Sequence, residues 1–162
     1  WASLDFAPPD ERPEGSSFCY TSQAWVTAIA SGLVIRSADG ATVIDLDNDG
    51  DESTGWTINY LHLTEQIDAG RVVQVGERIG RASCAGGFST ATHIHIGRRY
   101  NGEWIPADCP GCRSSVTIPT FIMGGWAAIG IAGQEYQGYL QSGEERLQAE
   151  QGRFSDINLI SG

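Results

Sequence analysis

The sequence predicts an all-β fold in a single domain, on three observations. Glycine supplies 21 of the 162 residues and stands singly or in pairs between short apolar runs, as in chains with many turns. Several segments alternate apolar and polar residues with the period of a strand, and none has a convincing helical period. Hydrophobic residues make up 41% of the chain and charged residues 19%, a globular composition that argues against disorder.

The predicted elements follow one another as short strands separated by loops. An apolar segment at 1–6 precedes a loop at 10–17 that is rich in Pro, Glu, Gly and Ser. Asp39-Gly40, between two apolar runs, predicts a hairpin turn. We predict strands over 24–30, 32–37, 41–46, 56–63, 92–99, 115–123, 126–132, 135–141 and 144–150, a turn into a short strand over 74–80, and loops at 47–55 and 84–90.

The charge of the chain excludes some classes of partner. The formal net charge is −10, and all ten basic residues are Arg. Such a field repels phosphate backbones, so we expect no nucleic-acid partner. No apolar run approaches the length of a membrane-spanning helix, so we expect no membrane insertion.

Four cysteines allow three disulfide pairings, and spacing alone does not choose among them. Cys109 and Cys112 are close enough to close a small loop, which leaves Cys19 with Cys84. A zinc knot is disfavoured because the other two cysteines do not form a second C-x-x-C. A redox-active C-x-x-C is disfavoured because residues 113–119 do not resemble a helix start. We therefore predict disulfides and an oxidising compartment.

The three histidines of the chain all fall on predicted strands. His93 and His95 share one face, because side chains on a strand repeat every second residue. His62 lies near the end of the predicted strand 56–63, on the face of Trp56 and Tyr60. A lone strand histidine is usually structural, but two at i and i+2 with a third nearby indicate a metal or catalytic site.

Four segments, in order along the chain, resemble motifs of the zinc metallopeptidases of the lysostaphin/LytM family. Leu4-Asp5-Phe6 resembles the ligand-bearing Leu-Asp-Phe, and Tyr60-Leu61-His62-Leu63 resembles Tyr-Ala-His-Leu. Residues 74–80 are similar to Val-x-x-Gly-x-x-Ile-Gly, and residues 92–96 to the His-Leu-His-Phe strand. The placement of Cys84 before that strand resembles the disulfide-bearing, LasA-like branch of the family.

The resemblance implies a fold and a function. It covers residues 1–106, which are expected to form an antiparallel sheet of this peptidase type with long loops. The segment 107–162 has no counterpart in the family motifs, and we expect it to form a C-terminal β extension packed on the same domain. It implies a secreted or extracytoplasmic bacterial enzyme that uses zinc to hydrolyse peptide bonds of peptidoglycan or of Gly-rich peptides. Asp5 and His95 would be zinc ligands. His62 and His93 would be the catalytic pair, one as general base and one steadying the oxyanion.

The sequence departs from the family pattern at the third zinc ligand. The family has a histidine upstream of the aspartate, and Trp1 stands four residues before Asp5. No histidine precedes His62. The expectation is a ligand upstream of Trp1, as the spacing of the LasA-like branch implies. The alternative is a catalytically degenerate domain that binds the cell wall or a protein and cuts nothing.

An acidic segment offers a second candidate metal site. Alternating carboxylates precede and follow Gly50 as in the first half of a calcium-binding EF-hand loop; they belong to Asp45, Asp47, Asp49 and Asp51. Trp56 occupies the position where an EF-hand needs glutamate, and flanking helices are not predicted. A calcium ion held by the four carboxylates remains one interpretation, and a solvated acidic turn is the favoured one.

The tryptophans are assigned by their place in the pattern. Trp25, Trp56 and Trp126 fall singly in predicted strands and are expected in the core. Trp104 closely follows the His-x-His strand and is expected to border the cleft.

Overall fold

The computed structural model describes residues 2–110 and 118–149, and every regular element of that part of the chain is a strand. The predicted all-β fold is therefore confirmed. The chain divides into two compact units, one formed by Ser3–Trp104 and the other containing Ile105 and the residues after it. No described helix is long and apolar enough to cross a membrane.

The first unit contains ten strands among its described residues, the last of which ends one residue beyond its boundary. They are β1 (Ser3–Phe6), β2 (Trp25–Thr27), β3 (Gly32–Ala38), β4 (Ala41–Asp45), β5 (Trp56–Leu61), β6 (Leu63–Thr64), β7 (Val72–Val73), β8 (Arg78–Ala82), β9 (Ile94–Tyr100) and β10 (Glu103–Ile105). A seven-stranded sheet has the order β1-β9-β5-β4-β3-β7, with β10 paired to β9. A three-stranded sheet has the order β2-β8-β6.

The large sheet has one buried face and one open face. On β9, Ile94, Ile96 and Arg98 are buried, while His95 and Arg99 are half-buried on the opposite face. The buried face continues across the neighbouring strands through side chains that include Ile44, Ile58 and Tyr60. This alternation of apolar and polar residues on each strand leaves the second histidine of the His-x-His segment on the open face.

The predicted Asp39-Gly40 hairpin joins β3 to β4. Both residues have positive φ, 50° at Asp39 and 79° at Gly40, as a tight turn between twisted strands requires. Glycine adopts that conformation without a steric penalty, which is why the dipeptide is a reliable turn signal.

One predicted strand is wrong in a way that bears on the site. The segment 56–63 was expected to be continuous, but β5 ends at Leu61 and β6 begins at Leu63 in the other sheet. His62 has a φ of 68°, a left-handed conformation that breaks the strand between them. His62 therefore does not share a strand face with Tyr60. The left-handed backbone at the break sets the direction of its side chain instead.

Other predicted strands are shorter than expected. The segment 24–30 reduces to β2, and 92–99 begins at Ile94, with His93 in an isolated bridge to Ser83.

Trp25 was expected in the core but is 38% exposed. Its ring contacts Arg81, whose guanidinium carbon lies 3.9 Å from the ring centroid. This cation–π contact gives the partly exposed tryptophan a partner at the surface.

The second unit contains a four-stranded antiparallel sheet among its described residues. Its strands are β11 (Ile122–Met123), β12 (Trp126–Ile131), β13 (Gln134–Ser142) and β14 (Glu145–Gln148), in that order. The expected strand 115–123 is confined to β11 within the described residues, and 115–117 lie outside them. Trp126, expected in the core, is half-buried.

A disulfide joins Cys19 to Cys84. Cys109 is also disulfide-bonded, and Cys112 lies outside the described residues. The Cys19–Cys84 bond ties the segment before β2 to the loop between β8 and β9, which carries the residues that support the histidines.

Candidate metal and catalytic site

Strand pairing brings Asp5 and His95 together. β1 and β9 are antiparallel, and their register places Asp5 directly opposite His95, so the two side chains share one face. The Nδ1 atom of His95 contacts Oδ1 of Asp5. That contact lacks the geometry of a hydrogen bond, and the buried Nδ1 has no hydrogen-bond partner. Oδ1 of Asp5 and Nδ1 of His95 therefore lie next to each other although they belong to different strands.

His93 stands beside His95 on the same face. The two Nε2 atoms are 3.2 Å apart, and the ring centroids are 4.7 Å apart. Nδ1 of His93 lies 2.8 Å from the carbonyl oxygen of Ala91, and 3.3 Å from Oγ of Ser89. A carbonyl oxygen only accepts, so Nδ1 carries the proton in the neutral ring and Nε2 is left with its lone pair.

His62 completes the cluster from the break between β5 and β6. Its ring centroid lies 4.6 Å from that of His93 and 4.9 Å from that of His95. Its Nδ1 donates to the carbonyl oxygen of Ala85 at 2.7 Å, and its Nε2 is buried without a hydrogen-bond partner. The side chain is 1% exposed, and burial lowers the pKa of His62. The neutral imidazole thus presents an unprotonated Nε2 to the other two rings.

Backbone contacts fix His62 from two sides. Ser83 donates both its N–H, at 2.8 Å, and its hydroxyl, at 3.0 Å, to the carbonyl oxygen of His62. The N–H of Leu63 donates to the carbonyl oxygen of Gly40 at 3.0 Å. The hairpin turn at Gly40 lies against Ala85 and Gly86, so the acceptor of His62 is itself held by that turn.

The contact between Gly40 and the 85–86 backbone gives a testable expectation. A Cβ on Gly40 would lie 2.5 Å from the carbonyl carbon of Ala85 and 2.6 Å from N of Gly86. Gly70 has a similar φ, 87°, and open space around it, so Gly70→Ala should lower the free energy of unfolding by only about 1–2 kcal/mol, the cost of placing alanine in that conformation. Gly40→Ala should lower the free energy of unfolding by about 1–3 kcal/mol more, the cost of overpacking, and should displace Ala85.

Urea unfolding of the two variants measures this difference. A proton NMR titration of the His62 ring in each folded variant reports whether the Ala85 acceptor has moved. Equal free energies of unfolding for Gly40→Ala and Gly70→Ala would show that the hairpin turn does not support the histidine loop.

The donor set fits zinc. Imidazole nitrogen and carboxylate oxygen are ligands that zinc prefers, and the buried Nδ1 of His95 has its one lone pair toward Asp5 without a hydrogen-bond donor. The ring nitrogens of His62, His93 and His95 lie within 4.8 Å of one another, so two further imidazoles adjoin the pair. Asp5 and His95 offer two donor atoms on neighbouring strands, and the sequence contains no histidine other than His62, His93 and His95.

The acidic segment forms a separate cluster. Carboxylate oxygens of Asp45, Asp47 and Asp49 lie within 4.8 Å of one another, and Asp51 is not a member of that group. Asp45 is fully buried and accepts backbone N–H groups of Asp47, at 3.3 Å, and Gly50, at 2.9 Å. A hydrogen bond to Asp45 raises the pKa of Asp47. Hydrogen bonds from Ser53 lower the pKa of Asp51.

These contacts predict that calcium does not support the fold. The buried carboxylate of Asp45 is already satisfied by backbone donors, so no cation is needed to compensate its burial. Chelation of calcium should leave the melting temperature unchanged in calorimetry. A drop of several degrees that calcium reverses and magnesium does not would identify the cluster of Asp45, Asp47 and Asp49 as a structural calcium site instead.

The structure brings Asp5, His62, His93 and His95 into one cluster, and their chemical roles remain predictions. The backbone acceptors at Ala85 and Ala91, and the hydroxyl of Ser83, carried no sequence signal. Each lies in a loop whose path depends on distant pairing rather than on local pattern. Asn59 and Arg99, on the open face of the sheet beside His95, were also missed, because polar residues on strands are usually only solvated.

Comparison with known proteins agrees with the geometry. The model of Peptidase family M23 matches residues 11–106. Protease LasA of Pseudomonas aeruginosa, in two strains, is 33% identical over 60 residues, a match that spans 32% of this chain and 14% of that protein. The solved structure of pseudoalterin, an M23 metalloprotease from the deep sea, has a TM-score of 0.64 and 22% identity, covering 91% of this chain and 79% of that one. That likeness shows the fold, while the family match covers more than half of the chain. The chain belongs to peptidase family M23.

Proposed function

We propose that this protein is a zinc-dependent endopeptidase that hydrolyses peptide bonds of bacterial peptidoglycan or of Gly-rich peptides outside the cytoplasm. The observation that carries the proposal is the juxtaposition of the Asp5–His95 pair with two imidazoles whose Nε2 atoms are unprotonated in the neutral ring. Membership of a peptidase family supports the reaction class. The resemblance of the four motifs to lysostaphin/LytM enzymes supports the substrate class.

Asp5 and His95 are the proposed zinc ligands. Both present donor atoms on the open face of the sheet, and Asp5 is the more exposed of the two side chains. When bound, zinc would polarise the scissile carbonyl and lower the pKa of water at an open coordination position. Three protein ligands are usual at such a site, so the proposal needs one ligand beyond this pair.

His93 and His62 are the proposed proton-transfer groups. His93 is half-buried and its Nε2 lies beside the ligand histidine, so it is the group placed to take a proton from the attacking water. An imidazole that has taken the proton becomes a donor at Nε2. That N–H can then steady the tetrahedral oxyanion or pass its proton to the leaving amine. The carbonyl groups of Ala85 and Ala91 stabilise the charged ring through its Nδ1–H.

The open face of the sheet provides a place for an extended peptide. A groove of about 340 Å³ runs along it, lined by residues that include His95, Gly97 and Asn59. Gly97 stands next to His95 on that face and has no side chain, so a substrate backbone can approach the sheet closely there. This favours a peptide with small residues near the cleaved bond.

Digestion of purified peptidoglycan tests the proposed function. Walls with and without glycine cross-bridges are incubated with the zinc-supplemented protein, and the released fragments are analysed by mass spectrometry. New amino termini that appear only with zinc support the proposal. Intact peptides after prolonged incubation with fully loaded protein would refute it.

A second function is binding to the wall or to a protein without cleavage. It is favoured by one observation, that Asp5 and His95 are two ligands where a catalytic zinc ordinarily has three. A pelleting assay with insoluble peptidoglycan separates the two functions. Retention on the wall without zinc and without any released peptide would identify the domain as a binding module.

A further inference from the structure

Among the described residues, the groove beside His95 contains one arginine that has no acidic partner. Arg99 follows His95 by four residues on β9 and lies on the same open face, opposite Thr57 of β5. It lines the groove together with Trp104. The guanidinium carbon of Arg99 lies 4.3 Å from the centroid of the Trp104 ring, and 49% of that tryptophan is exposed.

The lack of a partner distinguishes Arg99 from its neighbour. Arg36, also on the groove, pairs with Glu52 at 3.1 Å. Within residues 2–110 and 118–149, no carboxylate pairs with Arg99, and its buried Nε has no hydrogen-bond partner. The chain carries 20 acidic residues against ten arginines, so an arginine in the groove that no described carboxylate pairs leaves its guanidinium for an anionic ligand.

The geometry points to Arg99 as a specificity-determining residue that binds a carboxylate of the peptide substrate, and we propose this role on the basis of the proposed function above. The position of the guanidinium over the Trp104 ring restrains Arg99, and its terminal nitrogens are the donors proposed for a bidentate contact. A carboxylate matches that planar fork, and peptides carry carboxylates on acidic side chains and at the carboxyl terminus.

The position of Arg99 sets where the carboxylate lies. Four residues along a strand span about 13 Å at a rise of roughly 3.3 Å per residue. A peptide extended along the groove advances at a similar rate, so its carboxylate would stand about three or four residues from the bond near His95. The gap between them is lined by Gly97, which suits small residues in the substrate.

Paired peptides test the proposal. A Gly-rich peptide is made with glutamate three or four residues from the cleaved bond on either side, and its partner has glutamine there. Two further peptides end at that distance in a free carboxylate or in an amide. The zinc-loaded protein should cleave each carboxylate peptide with a kcat/KM about 10- to 100-fold above that of its amide partner, the range expected for one charge-assisted contact. Whichever pair shows the difference identifies the source of the carboxylate.

Variants attribute the preference to Arg99. Arg99→Gln should lower the preference to about one while leaving the amide peptides nearly unaffected, and Arg99→Lys should recover only part of it, because lysine lacks the planar fork. Arg78→Gln is the matched control, since Arg78 also lies near a tryptophan ring, that of Trp25, but outside the groove. Its preference should equal that of the unaltered protein.

The outcomes separate the two proposals. Equal cleavage of carboxylate and amide peptides by the unaltered protein overturns the role of Arg99 and leaves the peptidase proposal standing. If nothing is cleaved, the peptidase proposal fails. Calorimetric binding of the same peptides then tests whether Arg99 binds a carboxylate. Tighter binding of the carboxylate peptides that Arg99→Gln abolishes supports the carboxylate site, and equal binding overturns it. Because the peptides are compared on one unaltered protein, an unstable variant does not obscure the result.

Discussion

Replacing His95 by alanine is expected to remove zinc and peptidase activity together. The side chain supplies one of the two proposed ligands, and its Nδ1 contacts Asp5 across the β1–β9 pair. Mutating a residue that hydrogen-bonds to a metal ligand typically lowers metal affinity by roughly 10- to 100-fold. Removing the ligand itself should lower the affinity further. Zinc per chain, measured by elemental mass spectrometry after gel filtration, should fall from one to near zero.

The fold should survive this change. His95 is half-buried on the open face, so alanine there removes few core contacts, and the thermal transition without metal should be nearly that of the unaltered protein. Leu61→Ala is the control, because Leu61 lies opposite His95 on β5 without a ligand atom. Full zinc retention by His95→Ala would show that another set of side chains holds the metal.

Replacing His93 by alanine should instead leave the zinc and remove most of the turnover. His93 faces His95 through Nε2 and is held through Nδ1 by Ala91, an arrangement suited to moving a proton rather than to holding a metal with Asp5. General acid–base groups contribute roughly 10²- to 10⁴-fold, so kcat should fall by about a hundredfold or more at unchanged zinc content.

The comparison of the two variants is more informative than either alone. Zinc content and kcat are measured on the same preparations, with a Gly-rich peptide as substrate. His93→Gln serves as a second variant, since it keeps polar atoms at the position but no basic nitrogen. If His93→Ala loses zinc as completely as His95→Ala, then His93 is a ligand and the division of roles proposed here is wrong.

Much of the fold was predictable because its signals are local. Turn dipeptides such as Asp39-Gly40 and the alternation on β9 depend on neighbouring residues, and both are present in the structure. The strand break at His62 was not predictable in the same way. A non-glycine residue with positive φ costs energy, and it persists here because the buried ring and the bonds from Ser83 hold it.

The site was predictable only in its residue types. The motifs around Asp5, His62 and His93 indicated a cluster, but its supports are loop carbonyls that no motif marks: Ala91 lies two residues before His93, and Ala85 lies 23 residues after His62. The residues that line the groove were likewise not predictable as a group. In the sequence Arg99 looks like an ordinary polar strand residue, and only the structure shows that it lies opposite Thr57 on the open face with its guanidinium over the ring of Trp104.

Zinc titration of the metal-stripped protein, with bound zinc and peptide cleavage measured in the same samples, tests whether zinc drives cleavage. We predict one zinc per chain and a rate of cleavage of a Gly-rich peptide that rises in proportion to zinc occupancy. Full occupancy without cleavage, or cleavage that is unchanged after zinc is stripped, would contradict the claim that this M23 domain is a zinc-dependent endopeptidase.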